Sequence, residues 1–373
     1  MEEERVLERQ QKRKRSKWVD KEDDFRLEGK ISSKKIERRI LGEPCRDVDE
    51  SYERLDRIEE GSYGVVYRAR DRLSREIVAL KRVKLNKEIC AEGFPITALR
   101  EINVLLTLRH PNIVLVKEMV ISNEQQFFMV MDYYDFDLKS IIDKQNGPFS
   151  QADAKGLMIQ INKAVNHMHS SWFMHRDIKT SNCLYSRGRL VLADFGLARR
   201  FGDPPPSDPP YTRNVVTLWY RPPELLLPYG SYNGPEIDLW SMACVFAEIL
   251  AKKPLFSGKS ELEQLAQIFQ LLGPPSQQSW PQYASLAPSH YKFSSTCVHS
   301  PHLLRSRFPA TALCANRTTP LSTHGFDLLS SLLTLDPSRR LPASKALQHA
   351  YFSSDFPPPT PEQAMPHFQL DRL

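Results

Sequence analysis

Residues 175–196 read HRDIKTSNCLYSRGRLVLADFG. Two carboxylates and an amide stand here at fixed intervals. Asp177 can accept the proton of a hydroxyl group, and Asn182, five residues on, can offer an oxygen to a metal ion. The apolar run from Leu190 to Ala193 reads as a buried strand, and Asp194-Phe195-Gly196 follows it directly. An isolated Asp-Phe-Gly carries almost no information. One that stands twelve residues beyond such an asparagine, with a strand between them, is a specific signal.

Upstream, Val78-Ala79-Leu80-Lys81 is an apolar run that ends on a lysine. That pattern fits a plain strand exit, and equally a lysine that binds phosphates while a carboxylate holds it. Glu101 is the available carboxylate. It closes GFPITALRE, residues 93–101, in which Pro95 suits a first helical turn. The apolar side chains of ITALREINVLLTL recur at three- and four-residue spacing as far as His110-Pro111, which predicts an amphipathic helix. By itself such a helix would leave Arg100 and Glu101 in water. A partly buried Lys–Glu pair is a poor stability device, because desolvation offsets much of its attraction, and it makes more sense as a switch. Ile58-Glu59-Glu60-Gly61-Ser62-Tyr63-Gly64-Val65-Val66 reads as a glycine turn between strands, where backbone N–H groups can approach phosphate oxygens. Glu59 occupies the place of the first glycine of G-x-G-x-x-G.

The 373 residues suffice for a large core, and 26% charged against 41% hydrophobic residues describes a globular protein. A net charge of +6 is mildly basic and establishes no nucleic-acid binding; none is expected, and no apolar run reaches membrane-spanning length. The six cysteines form no C-x-x-C pair and no disulfide framework, which fits a reduced compartment. Residues 1–50 are charge-dense and poor in aromatics, and are expected to be a largely disordered extension. Within it, Lys12-Arg13-Lys14-Arg15-Ser16-Lys17 is a basic cluster of the nuclear-import type or a solvated charge run. Short strands are predicted from Tyr52 to about Met131, and long helices from about Leu138 to residue 352. Residues 353–373 read as a tail. GDPPPSDPP (202–210) and FPPPTPEQAMP (356–366) are rich in proline, and there is no internal repeat.

Taken in order, these motifs resemble the eukaryotic serine/threonine protein kinases over roughly residues 52–352. The resemblance implies an α+β, bilobal fold: a small β-rich N-lobe (52–131) with one key helix, and a larger α-helical C-lobe (138–352). It implies ATP and Mg2+ as cofactors, bound between the lobes. Lys81, Glu101, Asp177, Lys179, Asn182, Asp194 and Thr217 would be the catalytic set, with Asn182 and Asp194 on the metal. Ile58, Glu59, Gly61, Gly64, Val66, Ala79 and Leu184 would surround the nucleotide. Met131 would be the gatekeeper, Asp132 and Tyr134 the hinge, and Asp137 a ribose contact.

GFPITALRE is similar to the cyclin-contacting helix of the cyclin-dependent kinases, which implies a cyclin partner whose binding brings Glu101 to Lys81. By the same resemblance Thr212 is an activating phosphosite, received by Arg100, Arg176 and Arg199. Ser62 and Tyr63 would take inhibitory phosphates. Val216 and Arg221 match residues that shape a pocket for a proline after the target Ser/Thr, and Glu224 and Arg340 match a pair that ties this segment to the C-lobe. CRDVDESYERLDRIEEGSYGVVYRARD, DLKSII, HRDIKTSN and PLFSGKSELEQ resemble the PITSLRE-type subfamily, which carries the same glutamate at position 59. That type implies an L-type cyclin, a nuclear location, and a role in transcription and pre-mRNA splicing or cell-cycle control. PITALRE itself and Arg221-Pro222-Pro223-Glu224 look more like the transcription-elongation kinases. A catalytically inactive scaffold is the alternative from another class, and the complete set Lys81, Glu101, Asp177, Asn182 and Asp194 speaks against it. The stretch before Thr212 departs from the family in being longer and richer in proline, as does Ala243 in place of glycine.

Overall fold

The computed structural model describes residues 45–61, 64–83, 96–123, 126–202, 211–232, 234–287, 303–311 and 318–366. The basic cluster at 12–17, Ser62, Tyr63, Gly93 to Pro95 and most of the 202–210 proline stretch lie outside these residues, as do the side chains of Glu59 and Glu60.

The first folded piece is a short helix, α1 (Val48–Ser51), capped by Asp47, whose carboxylate accepts from the Asp49 and Glu50 amides at 2.8 and 3.0 Å. It leads into β1 (Tyr52–Gly61), which forms an antiparallel hairpin with β2 (Gly64–Asp71). β3 (Ile77–Arg82), helix α2 (Ile96–Thr107), β4 (Val116–Ile121) and β5 (Phe127–Asp132) follow. The strands form an antiparallel sheet in the order β1-β2-β3-β5-β4. At Gly64, φ is +140° and an added Cβ would meet the Arg82 carbonyl oxygen at 2.6 Å, so this position admits only glycine.

Side chains alternate across the sheet. Val78 and Leu80 of β3 point to an outer core with Tyr52, Val120, Phe128 and Val130, while Ala79 and Lys81 face the interlobe cleft. Val48 of α1 is fully buried in that outer core. Just before it, Arg46 reaches both Glu118 and the Tyr52 hydroxyl, and Tyr52 in turn donates to Glu118 at 2.5 Å. The expectation of disorder through residue 50 therefore fails for its last six residues. The segment carries one apolar side chain, a cap and a charge pair, and each finds its partner on the sheet.

Beyond β5 come β6 (Phe136–Asp137), α3 (Leu138–Lys144) and the long α4 (Gln151–Ser170). The strands β7 (Phe173–Met174), β8 (Cys183–Ser186), β9 (Arg189–Leu192) and β10 (Arg199–Arg200) then frame residues 175–198. α5 (Pro223–Leu226), α6 (Glu236–Ala251), α7 (Glu261–Leu272) and α8 (Thr323–Leu332) complete the main helical body. From Ile237 to Ala251 every residue of α6 is buried, so it is the central post of the lobe rather than a surface helix.

The tail expected from residue 353 is no loose end as far as Pro366. Thr360 N–H donates to the Ala152 carbonyl at 2.9 Å, Met365 is buried, and Tyr185 donates to the Pro366 carbonyl at 2.7 Å. The anchor is Lys155 of α4, whose fully buried ammonium meets the Asp355 carboxylate at 3.1 Å and the carbonyls of Asp355 and Pro357 at 2.9 and 2.8 Å. Burial alone would raise the Asp355 carboxyl, but the Ser322 hydroxyl and the Lys155 ammonium outweigh it and hold it below the usual carboxylate range. A depressed carboxylate contributes stability above its unfolded-state pKa of about 4 and loses it as pH falls. Asp355→Asn should therefore cost about 2–3 kcal/mol near neutral pH, measured by thermal or urea unfolding, and its gap from wild type should narrow in acid.

Candidate active site

Between the lobes lies a cavity of about 290 Å3. Its lining includes Ile58, Gly64, Val66, Ala79, Met131, Asp132, Tyr134 and Leu184, all of them in the expected nucleotide set. Tyr133, Val114 and Leu105 also line it and were not anticipated. Asp137 does not. Its carboxylate caps α3 through Ser140, at 2.9 Å to the amide and 2.6 Å to the hydroxyl; each oxygen so accepts one hydrogen bond of the two it can take. Asp132 pairs with Lys117 at 3.1 Å.

At the cavity's inner end Lys81 meets Glu101 at 2.8 Å and Asp194 at 3.0 Å. β3 delivers the lysine on its cleft face, α2 brings the glutamate, and a left-handed backbone at Asp194 (φ 60°) turns its carboxylate inward. Burial opposes the Lys81 charge, but the two carboxylates outweigh it and raise its pKa well above normal, so the ammonium is permanently charged. One cation facing two carboxylates leaves an unbalanced negative charge beside Asn182, which also lines the cavity.

Asp177 sits on the loop before β8. Its Oδ1 accepts from the Thr217 hydroxyl at 2.7 Å and the Thr217 amide at 3.1 Å. Its Oδ2 accepts from Lys179 at 2.8 Å and the Asn182 amide nitrogen at 3.2 Å. Lys179 also donates to Thr217 at 3.2 Å. Burial would raise the carboxyl, but Lys179 and then Thr217 dominate and hold it below its usual range. The amide nitrogen of Asn182 is spent on Asp177, which leaves its oxygen for a cation. An Asp194 carboxylate with an amide oxygen suits Mg2+, which takes few protein ligands and completes its shell with water and phosphate oxygens.

This loop hangs from a residue that the sequence reading missed. Asp238, fully buried on α6, accepts from the His175 and Arg176 amides at 2.8 Å each and from the His169 ring at 3.0 Å. Burial would raise its pKa, but the His169 contact and the backbone donors lower it. The legible signal was one acidic residue inside the otherwise apolar run IDLWSMACVF. The His175 ring packs on Phe195 at 4.7 Å and bonds the Ala193 carbonyl at 3.0 Å, which ties the Asp177 loop to Asp194.

Past the cavity, Val216 adopts a left-handed conformation (φ 67°), and Arg221 donates to its carbonyl at 3.1 and 3.0 Å while pairing with Glu261. Glu224 and Arg340 form a buried bidentate pair at 2.6 Å for both bonds. Arg176 donates to the Leu197 carbonyl at 2.6 Å and the Tyr232 hydroxyl at 2.8 Å. Thr212 is exposed, Arg100 lies on α2, and Arg199 lies on β10.

The protein kinase domain model matches residues 52–352. Over 335 residues the chain is 50% identical to cyclin-dependent kinase G-2 of Oryza sativa subsp. indica, covering 88% of this chain and 45% of that protein. It is 44% identical to cyclin-dependent kinase G1 of Arabidopsis thaliana over 88% of this chain and 52% of the relative. With human cyclin-dependent kinase 11B the identity is 49%, over 83% of this chain and 37% of the relative. The chain thus spans about half the length of these relatives, or less.

Asp238→Asn keeps the volume but gives up the charge and one of two acceptor oxygens. It should cost about 3 kcal/mol in unfolding experiments and accelerate amide exchange at His175 and Arg176, because two buried N–H groups lose part of their partner.

Proposed function

The chain belongs to the protein kinase domain family, and we propose that it is an ATP-dependent serine/threonine kinase of the cyclin-dependent, PITSLRE type. The observation that carries this is the convergence of Lys81–Glu101, Asp194, Asn182 and the fourfold-held Asp177 on one cleft. When bound, Mg-ATP supplies the phosphoryl group and the cation that neutralises its charge. Lys81, fixed by Glu101, would meet the nucleotide's phosphates, and Asn182 and Asp194 would hold the Mg2+. Asp177 orients the substrate hydroxyl and receives its proton. Its lowered pKa makes it a weak base, so orientation is its larger contribution. All four lone-pair positions of Asp177 are taken, so the incoming hydroxyl displaces one partner, and the 3.2 Å Asn182 contact is the longest. Lys179 stays beside the reacting oxygen and stabilises charge on the transferred group.

Specificity for Ser/Thr-Pro follows from the recess at Val216. Its carbonyl is already saturated by Arg221, so the residue after the target finds no acceptor for its N–H. Proline has no N–H to leave stranded. The proposed partner is a cyclin, of the L type, seated on α2, where Leu99 and Leu106 are half exposed. A nuclear location, through the basic cluster at 12–17, and a role in transcription and splicing or cell-cycle control belong to the same proposal.

Two outcomes test it. Asp177→Asn should reduce phosphate transfer by roughly 100-fold or more while ATP affinity is kept; undiminished turnover would contradict the assignment. Replacing the proline after the target serine by alanine in a peptide should lower kcat/KM by about tenfold or more, since the added N–H is buried without a partner. Equal rates for the two peptides would remove the specificity argument.

A further inference from the structure

Residues 211–217 are held by contacts that do not use the Thr212 side chain. Thr217 is bonded to Asp177, Val216 is buried in its left-handed turn, and Arg213 reaches the carbonyls of Leu227 and Pro228. Tyr211 donates to the Arg200 carbonyl at 2.8 Å, and a further tie is made by a tyrosine that the sequence reading did not single out. Tyr232, shortly before α6, stacks on Tyr211 with ring centroids 5.4 Å apart. Its hydroxyl lies 2.8 Å from Arg176 Nη1 and 3.2 Å from the Thr212 carbonyl. The polarity of this chain of bonds has one solution. A guanidinium only donates, so the phenol oxygen accepts from Arg176, and its single proton is left for the Thr212 carbonyl. The hydroxyl thus relays the grip of Arg176, itself nearly fully buried and bonded to Leu197, onto the backbone of residue 212.

We propose that Tyr232 is a phosphate-independent tether: its hydroxyl, set between Arg176 and the Thr212 carbonyl, positions residues 211–217 for substrate before Thr212 is modified. This rests on the kinase reading and deepens it. A phosphate on the exposed Thr212 side chain would draw on the same Arg176 cation, so tether and phosphate are alternative holds on one segment. The hydroxyl then matters most in the unphosphorylated chain.

Tyr232→Phe keeps the stacked ring and removes only the relay. In the full chain, treated with phosphatase and checked by mass, hydrogen exchange at residues 211–217 should quicken by about tenfold in the variant while the unfolding midpoint stays put. Unchanged exchange would overturn the tether. In the catalytic assay, kcat/KM for a Ser-Pro peptide should fall by about tenfold in the unphosphorylated variant and stay near wild type once Thr212 carries phosphate. An equal loss in both states would reduce Tyr232 to a packing residue. Exchange does not depend on turnover, so the two ideas separate. Faster exchange in a chain that, with its cyclin bound, transfers no phosphate would sustain the tether and sink the kinase reading; unchanged exchange with normal transfer would do the reverse.

Discussion

A single buried carboxylate carries the geometry of the site. Asp238 stands on α6, a helix buried along nearly its whole length, and neutralises two adjacent backbone N–H groups at His175 and Arg176. Arg176 is held there in a left-handed conformation (φ 71°) that a side-chain-bearing residue adopts only when its surroundings impose it. From that fixed point the loop projects Asp177, Lys179 and Asn182 into the cleft. His175 carries the constraint onward to Phe195 and so to Asp194. The α6 post therefore sets the positions of both the Asp177 and the Asp194 carboxylates, although it lines no part of the cavity itself.

The opposite wall depends on a weaker device. The Lys81 pair with Glu101 and Asp194 brings three ionised groups into a largely buried place, where desolvation consumes most of the Coulombic attraction. Such a pair adds little stability, but its geometry is sensitive to any shift of α2. The exposed apolar side chains on that helix offer a partner a lever on the pair. Below the cleft, Tyr232 offers a second lever through Arg176. The site thus has a rigid C-lobe half and two adjustable contacts.

Local pattern made much of this legible. Residues 151–170, 236–251 and 261–272 form long helices where helices were expected, and β3 carries its lysine one residue before its end. Asp177, Asn182 and Asp194 could be read together because they stand close in sequence, and Lys81 and Glu101 because each falls in a recognisable local pattern. What escaped depends on contacts distant in sequence. Asp238 is remote from the loop it holds; its apolar neighbours mark it as a buried carboxylate but do not show what it binds. The Lys155–Asp355 pair spans half the chain, so the anchor of the proline-rich tail could not be read locally. Val48 and Arg46 were lost in a charge-dense average, though each has a specific seat on the sheet. Asp137 caps α3, which only the fold shows.

The most direct test is to incubate the purified chain, with the cyclin that co-purifies from its native cells, with Mg-ATP and a mixed peptide library, and to map the products by mass spectrometry. The expected result is phosphate on serine or threonine followed by proline, appearing only when Mg2+ is present. Transfer to tyrosine, transfer without regard to the following residue, or no transfer from a correctly folded complex would contradict the assignment of this cleft.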